Sequence, residues 1–134
     1  MITVIEFPKC AFPHAHIIIK VVPEPPLELL DTITRAEFPR NDPALRQKVE
    51  KNMLHGRDHL TQPGSRCNRD GWCIYGFPQR TQPSTTIDEH MRIHWRRHEE
   101  EDMWAVPYCP ALLSLADCHF HFDVVYTASV QLPL

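Results

Sequence analysis

Histidine dominates the residues that could do chemistry: nine occur among 134, and several fall in patterns. His14-Ala15-His16 enters the β-branched run HIIIKVV, where a period of two places both imidazoles on one face of a strand. Two neutral imidazoles at that spacing can share a divalent cation, and Glu6 is the carboxylate on the preceding strand that would supply a third ligand. A cation held this way keeps open positions for a phosphate, whose oxygen it would polarise during in-line attack. The plainer alternative is a pair of hydrogen-bonded core histidines. His119-Phe120-His121 repeats the spacing, but Asp123 continues its polar side, as on an ordinary solvated strand face. His90, His94 and His98 would align on a helix. The β-branched and turn-forming residues of TTIDEHMRIHW argue against one, and with Arg96 and Arg97 they form a basic surface segment.

Cys67 and Cys73 are separated by five residues in CNRDGWC, with His55 upstream. Thiolate and imidazole suit Zn²⁺, and a long loop with little apolar content would gain order from such a clip. The alternative is two reduced thiols in a loop ordered by packing. Around them, Lys51, Arg57, Arg66, Arg69 and Arg80 alternate with Trp72 and Tyr75. Bases can stack on such aromatics while the cations track phosphates, although a solvated basic loop has the same composition. Phe77 and Pro78 follow Gly71–Gly76 where a phosphate loop needs Lys and Ser or Thr, so ATP binding is not expected.

Local sequence suggests the elements that position these groups. ITVIEF (2–7) and HIIIKVV (16–22) read as two neighbouring strands. Residues 27–33 are helical in character, and 44–54 form a helix after Asp42-Pro43. Residues 55–86 hold all four Gly and should be an irregular, exposed or metal-tied loop. Residues 103–116 read as a loop entering a short apolar helix, and 119–126 alternate as a strand.

Composition narrows the function classes. The length fits one domain, no apolar run approaches the roughly 18 residues of a membrane span, and no partner is announced by a net charge of -3. That total hides a middle segment, 51–80, with five basic and two acidic residues, and a tail, 81–134, with three basic and eight acidic. Five cysteines without framework spacing, behind a start that lacks a signal-peptide pattern, suggest reduced thiols and an intracellular location.

The string VIEFPKCAFPHAHIII resembles the strand pair of the Rep nuclease domain of Helitron transposases, the "helitron helicase-like" N-terminal domain. AEFPRNDPAL, NMLHG, CNRDGWCIYGFP, TTIDEHMRIHWRR and WAVPYCPALL resemble successive blocks of that family, in order, and together cover nearly all of 4–130. The resemblance implies an α+β fold of the HUH endonuclease type, a central antiparallel sheet with flanking helices, here with an irregular Cys/His-rich region. It implies a single, incomplete domain over 1–134: a strand pair at 2–22, a helical and Cys/His-rich region at 27–102, and a helix with a last strand at 103–130. It further implies a nuclear protein in which His14 and His16 hold Mg²⁺ or Mn²⁺ for nicking and strand transfer of single-stranded DNA, in the family through a tyrosine nucleophile and alongside a helicase. The alternatives are a non-catalytic zinc-stabilised module binding nucleic acid or protein, and a decayed transposon remnant.

The departures from the family are specific. Pro8-Lys9-Cys10-Ala11 stands where the family has a Gln-Lys-Arg-Gly-like run, keeping Lys9 as a DNA-contact candidate. The family's Cys after His-Gly is replaced around Asp58 or His59, which joins those residues to His55, Cys67 and Cys73 as zinc candidates. Val125 stands at an acidic position, and none of Tyr75, Tyr108 or Tyr126 matches the nucleophile. The family's tyrosine helix lies beyond the last strand, so no catalytic residue is expected and the chain alone is not expected to cleave DNA.

Overall fold

A computed structural model of the chain describes residues 1–6 and 13–125. Helices and small antiparallel strand pairs are mixed along it: β1 (Ile2–Glu6), β2 (His14–Ile18), α1 (Leu27–Ile33), α2 (Pro43–Asn52), β3 (Asn68–Arg69), β4 (Trp72–Cys73), β5 (Thr86–Ile87), β6 (Ile93–His94), a 3₁₀ helix (Glu100–Trp104) and α3 (Pro110–Leu115). Among the described residues the strands form three separate pairs, β1–β2, β3–β4 and β5–β6, rather than one central sheet.

The core is built on α2. The Asp42 carboxylate accepts from the Leu45 N–H at 3.0 Å, and Pro43 occupies the first turn, where its missing N–H costs nothing. Leu45 and Val49, one turn apart, point inward with Met53, and meet Phe38, Ala105, Tyr108 and Leu113. Tyr108 is fully buried and its hydroxyl donates to the Glu37 carbonyl at 2.8 Å. Burial pushes its hydroxyl up to about 12, so Tyr108 stays a neutral packing residue.

A polar spine flanks this core. The Asp102 carboxylate, 0 % exposed, accepts from the backbone N–H of Phe38 (2.8 Å), Glu99 (2.9 Å) and His98 (3.2 Å), and from Arg40 at 2.7 Å. Arg97 is 4 % exposed and donates to the carbonyls of Asp102 and Ala105 at 2.5 and 2.6 Å. Desolvation brings it down to about 10, still charged at neutral pH. The surface placement expected of Arg97 is therefore corrected: free carbonyls beside the core need a donor, and its five N–H groups supply one.

Other boundaries also shift. The helix expected over 44–54 occupies Pro43–Asn52, and the strand expected from 16 to 22 runs His14–Ile18. In the register Ile2 pairs with Ile18, so residues past 18 have no partner on β1. Every β1 and β2 residue is exposed. Residues 119–125 form no strand: His119 Nδ1 lies 2.7 Å from the Asn52 carbonyl and Phe120 packs on the core, which breaks the alternation. Residues 126–130 lie outside the described residues.

Candidate metal centre

Backbone pairing carries the end of α2 to the site. Val106 N–H donates to Met53 O at 2.8 Å and His55 N–H to Trp104 O at 2.9 Å, fixing His55 beside the 3₁₀ helix. A turn follows, in which His59 N–H meets Gly56 O at 3.2 Å and Gln62 N–H meets Asp58 O at 3.0 Å. Residues i and i+4 of such a turn share a face, and His55 and His59 have that spacing. Their rings meet edge to face at 4.4 Å, His55 stacks on Phe77 at 4.4 Å and 12°, and His59 lies edge-on to Trp104.

The second half of the site is the β3–β4 hairpin. Asp70 and Gly71 turn it with positive φ of 52° and 88°, and Gly71 N–H donates to the Asn68 side-chain oxygen at 2.9 Å. Glycine suits this left-handed position because it has no Cβ to clash. The Asn68 amide also donates to Leu60 O at 3.1 Å, tying the hairpin to the histidine turn. Cys67 precedes β3 and Cys73 lies in β4, both buried, with free thiols.

The two halves bring together His55, His59, Cys67 and Cys73, whose ligand atoms all lie within 4.8 Å of one another. Tetrahedral zinc, with bonds of about 2.0–2.3 Å, separates its ligands by roughly 3.3–3.8 Å. His55 Nε2 and Cys73 Sγ, 3.5 Å apart, already meet that spacing. His59 supplies the decisive detail. Its Nδ1 sits 2.5 Å from Gly56 O, which can only accept, so Nδ1 carries the proton and Nε2 the lone pair. That Nε2 is buried and has no hydrogen-bond partner. A buried orphan acceptor costs about 1–3 kcal/mol, and a metal would satisfy it. Burial, and next the neighbouring His59, hold the His55 imidazolium below its usual range, keeping that ring neutral too. Two thiols and two imidazoles suit zinc; Mg²⁺ and Mn²⁺ prefer oxygen. This group can hold a metal.

Asp58 is corrected out of the set. Its carboxylate is exposed and accepts from Gln62 Nε2 at 2.5 Å, closing the turn instead of entering the cluster. The spacing of His55 and His59 within one turn was the available signal favouring His59. Sequence reasoning missed Gly56 as the carbonyl that sets the tautomer, Ser65, whose hydroxyl lies 3.3 Å from Cys67 Sγ, and the ring walls Phe77 and Trp104.

His14, His16 and Glu6 lie together on the β1–β2 hairpin. Glu6 pairs with His14 in register, and His16 Nε2 is 3.3 Å from Glu6 Oε2. Among the described residues, the metal-ligand group of three or more side chains is the His55 cluster, not this one. His94 pairs with Asp88 at 2.9 Å and His98 with Glu37 at 3.0 Å, without a helix.

The nucleic-acid candidates divide by what holds them. Lys51 pairs with Asp117 at 3.0 Å, and Arg57 lies over the Trp104 ring at 5.7 Å. Arg66, Arg69 and Arg80 are exposed, as are Trp72 (59 %) and Tyr75 (61 %), and Arg69 faces Trp72 across the hairpin. Lys9 lies outside the described residues.

No family model, curated protein or solved structure matches this chain. Function is therefore argued from the site itself. No helix among the described residues is long and apolar enough to cross a membrane.

Proposed function

We propose that this chain is a zinc-organised domain that binds single-stranded DNA, of the kind found in Helitron Rep proteins. The observation that carries the reading is the His55–His59–Cys67–Cys73 group, whose closure fixes the hairpin that displays Arg69 and Trp72. Zinc here is structural: with four protein ligands no position remains for a substrate. The exposed cations supply the salt-dependent part of binding, and Trp72 and Tyr75 supply faces for bases.

In the same reading the domain acts in the nucleus, in rolling-circle transposition. His14 and His16, with Glu6 as third ligand, hold Mg²⁺ or Mn²⁺ beside a DNA phosphate, and the central sheet of the HUH fold forms around their hairpin. That ion's chemistry is to polarise the phosphate. No residue is assigned as the nucleophile.

Fluorescence anisotropy with labelled oligo-dT and the zinc-loaded chain tests the reading. Binding should weaken as salt rises, and Arg66→Ala with Arg69→Ala should lower the salt slope by about two, one per lost phosphate contact. Absence of binding at low salt would overturn it. Mn²⁺ affinity unchanged in His14→Ala plus His16→Ala would remove the hairpin ion.

A further inference from the structure

Next to the metal centre lies an open cleft of about 910 Å³, bordered by His55 itself. Tyr75, Phe77 and Arg80, from the segment after Cys73, form part of it; Trp95, His121 and Phe122 form much of the rest. The volume is within the roughly 300–1,000 Å³ that takes a small ligand.

The lining combines flat rings with unused donors. Among the described residues, the Arg80 guanidinium, the Trp95 indole N–H and the His121 imidazole have no hydrogen-bond or ion-pair partner, in contrast to Lys51 and Arg96, which are paired. The lining's one carboxylate, Asp123, accepts from the N–H of Val124 at 2.9 Å. An amine would find little to pair with here. A flat heteroaromatic group joined to an anion finds both ring faces and a free cation.

We propose that this cleft binds one nucleotide, its base stacked against Trp95 and the neighbouring rings and its phosphate held by Arg80 and His121. The proposal rests on the nucleic-acid reading and adds a defined seat for one unit of the strand. Because His55 both faces the cleft and belongs to the metal group, zinc loading sets the shape of one wall.

Anisotropy with labelled oligo-dT, using the zinc-loaded chain, provides the test. Trp95→Ala should raise Kd by roughly 5- to 150-fold, the value of one stacked base, while Trp95→Phe retains most affinity. Arg80→Ala should weaken binding and lower the salt slope by about one, whereas Arg92→Ala, exposed and outside the lining, should leave both unchanged. Competition with dTMP separates the sources: displacement identifies a free nucleotide as sufficient, and displacement only by unlabelled oligo-dT assigns the seat to the strand. Equal displacement by inorganic phosphate overturns the proposal. Photo-crosslinking of a 5-iododeoxyuridine oligomer to the unmutated chain is independent of any variant's folding, and should map to Trp95 or Tyr75. Tight oligomer binding with wild-type affinity in Trp95→Ala and Arg80→Ala, or crosslinks only elsewhere, overturns the cleft but leaves the domain a DNA binder. Absence of oligomer binding by the unmutated chain overturns both.

Discussion

Replacing His59 by Ala separates the metal from the packing at the centre. In the metal-free chain the ring is 6 % exposed and its Nε2 is an orphan, so its removal trades lost packing against relief of about 1–3 kcal/mol. Apo stability should therefore change little. The zinc-bound chain should respond differently. Structural zinc contributes about 10–16 kcal/mol in small domains, and an even share over four ligands is about 2.5–4 kcal/mol, or roughly 60- to 700-fold in Kd. Competition against a chromophoric chelator reads that loss, and thermal melts with and without zinc should show the melting gap shrinking in His59→Ala. The comparison variant is Asp58→Ala, whose carboxylate serves only the Gln62 turn and should leave zinc affinity within a few-fold of normal. Equal zinc affinity in His59→Ala and the unmutated chain would refute the ligand assignment, as would an Asp58→Ala loss matching that of His59→Ala.

Other perturbations probe the frame around the site. Arg97→Leu strands the carbonyls of Asp102 and Ala105 and should cost about 3–5 kcal/mol in urea unfolding, against under about 1 kcal/mol for Arg96→Ala on the half-exposed Glu37 pair. Asp42→Ala removes the cap from α2 and should cost about 1 kcal/mol by the same assay. Asp88, held down to about 2 mainly by the hydrogen bond from His94, gives stability that is complete above its ordinary value of 3.8 and lost as pH falls through 2. Asp88→Asn should flatten the acid limb of a stability–pH curve over that window.

The elements that sequence disclosed are those encoded locally. Asp42-Pro43 followed by helix formers announces α2, Pro110 and an apolar run announce α3, and the β-branched runs announce β1 and β2. The Cys67–Cys73 spacing with His55 pointed to three of the four cluster ligands, because a clip across a glycine-rich loop is a local device. What stayed hidden depends on distant partners. The alternation of HFHFDVVY is a strand pattern only if an edge is available to pair with, and here Asn52 O and the core claim His119 and Phe120 instead. Arg97 looked like one more surface cation because nothing near it in sequence reveals that Asp102 and Ala105 will present bare carbonyls to it. The choice between Asp58 and His59 turned on a single turn's geometry.

The exposed β1–β2 hairpin has a consequence for local stability. Two strands without a covering layer are marginal in water, since little apolar area is removed to offset the entropy of ordering them. The hairpin with His14 and His16 therefore opens at small cost, while α2 opens only with the core. Amide protons of β1 and β2 should exchange with solvent far faster than those of α2 under native conditions. The chain thus pairs a site that is rigid once metallated with a second whose geometry is set by whatever comes to cover it.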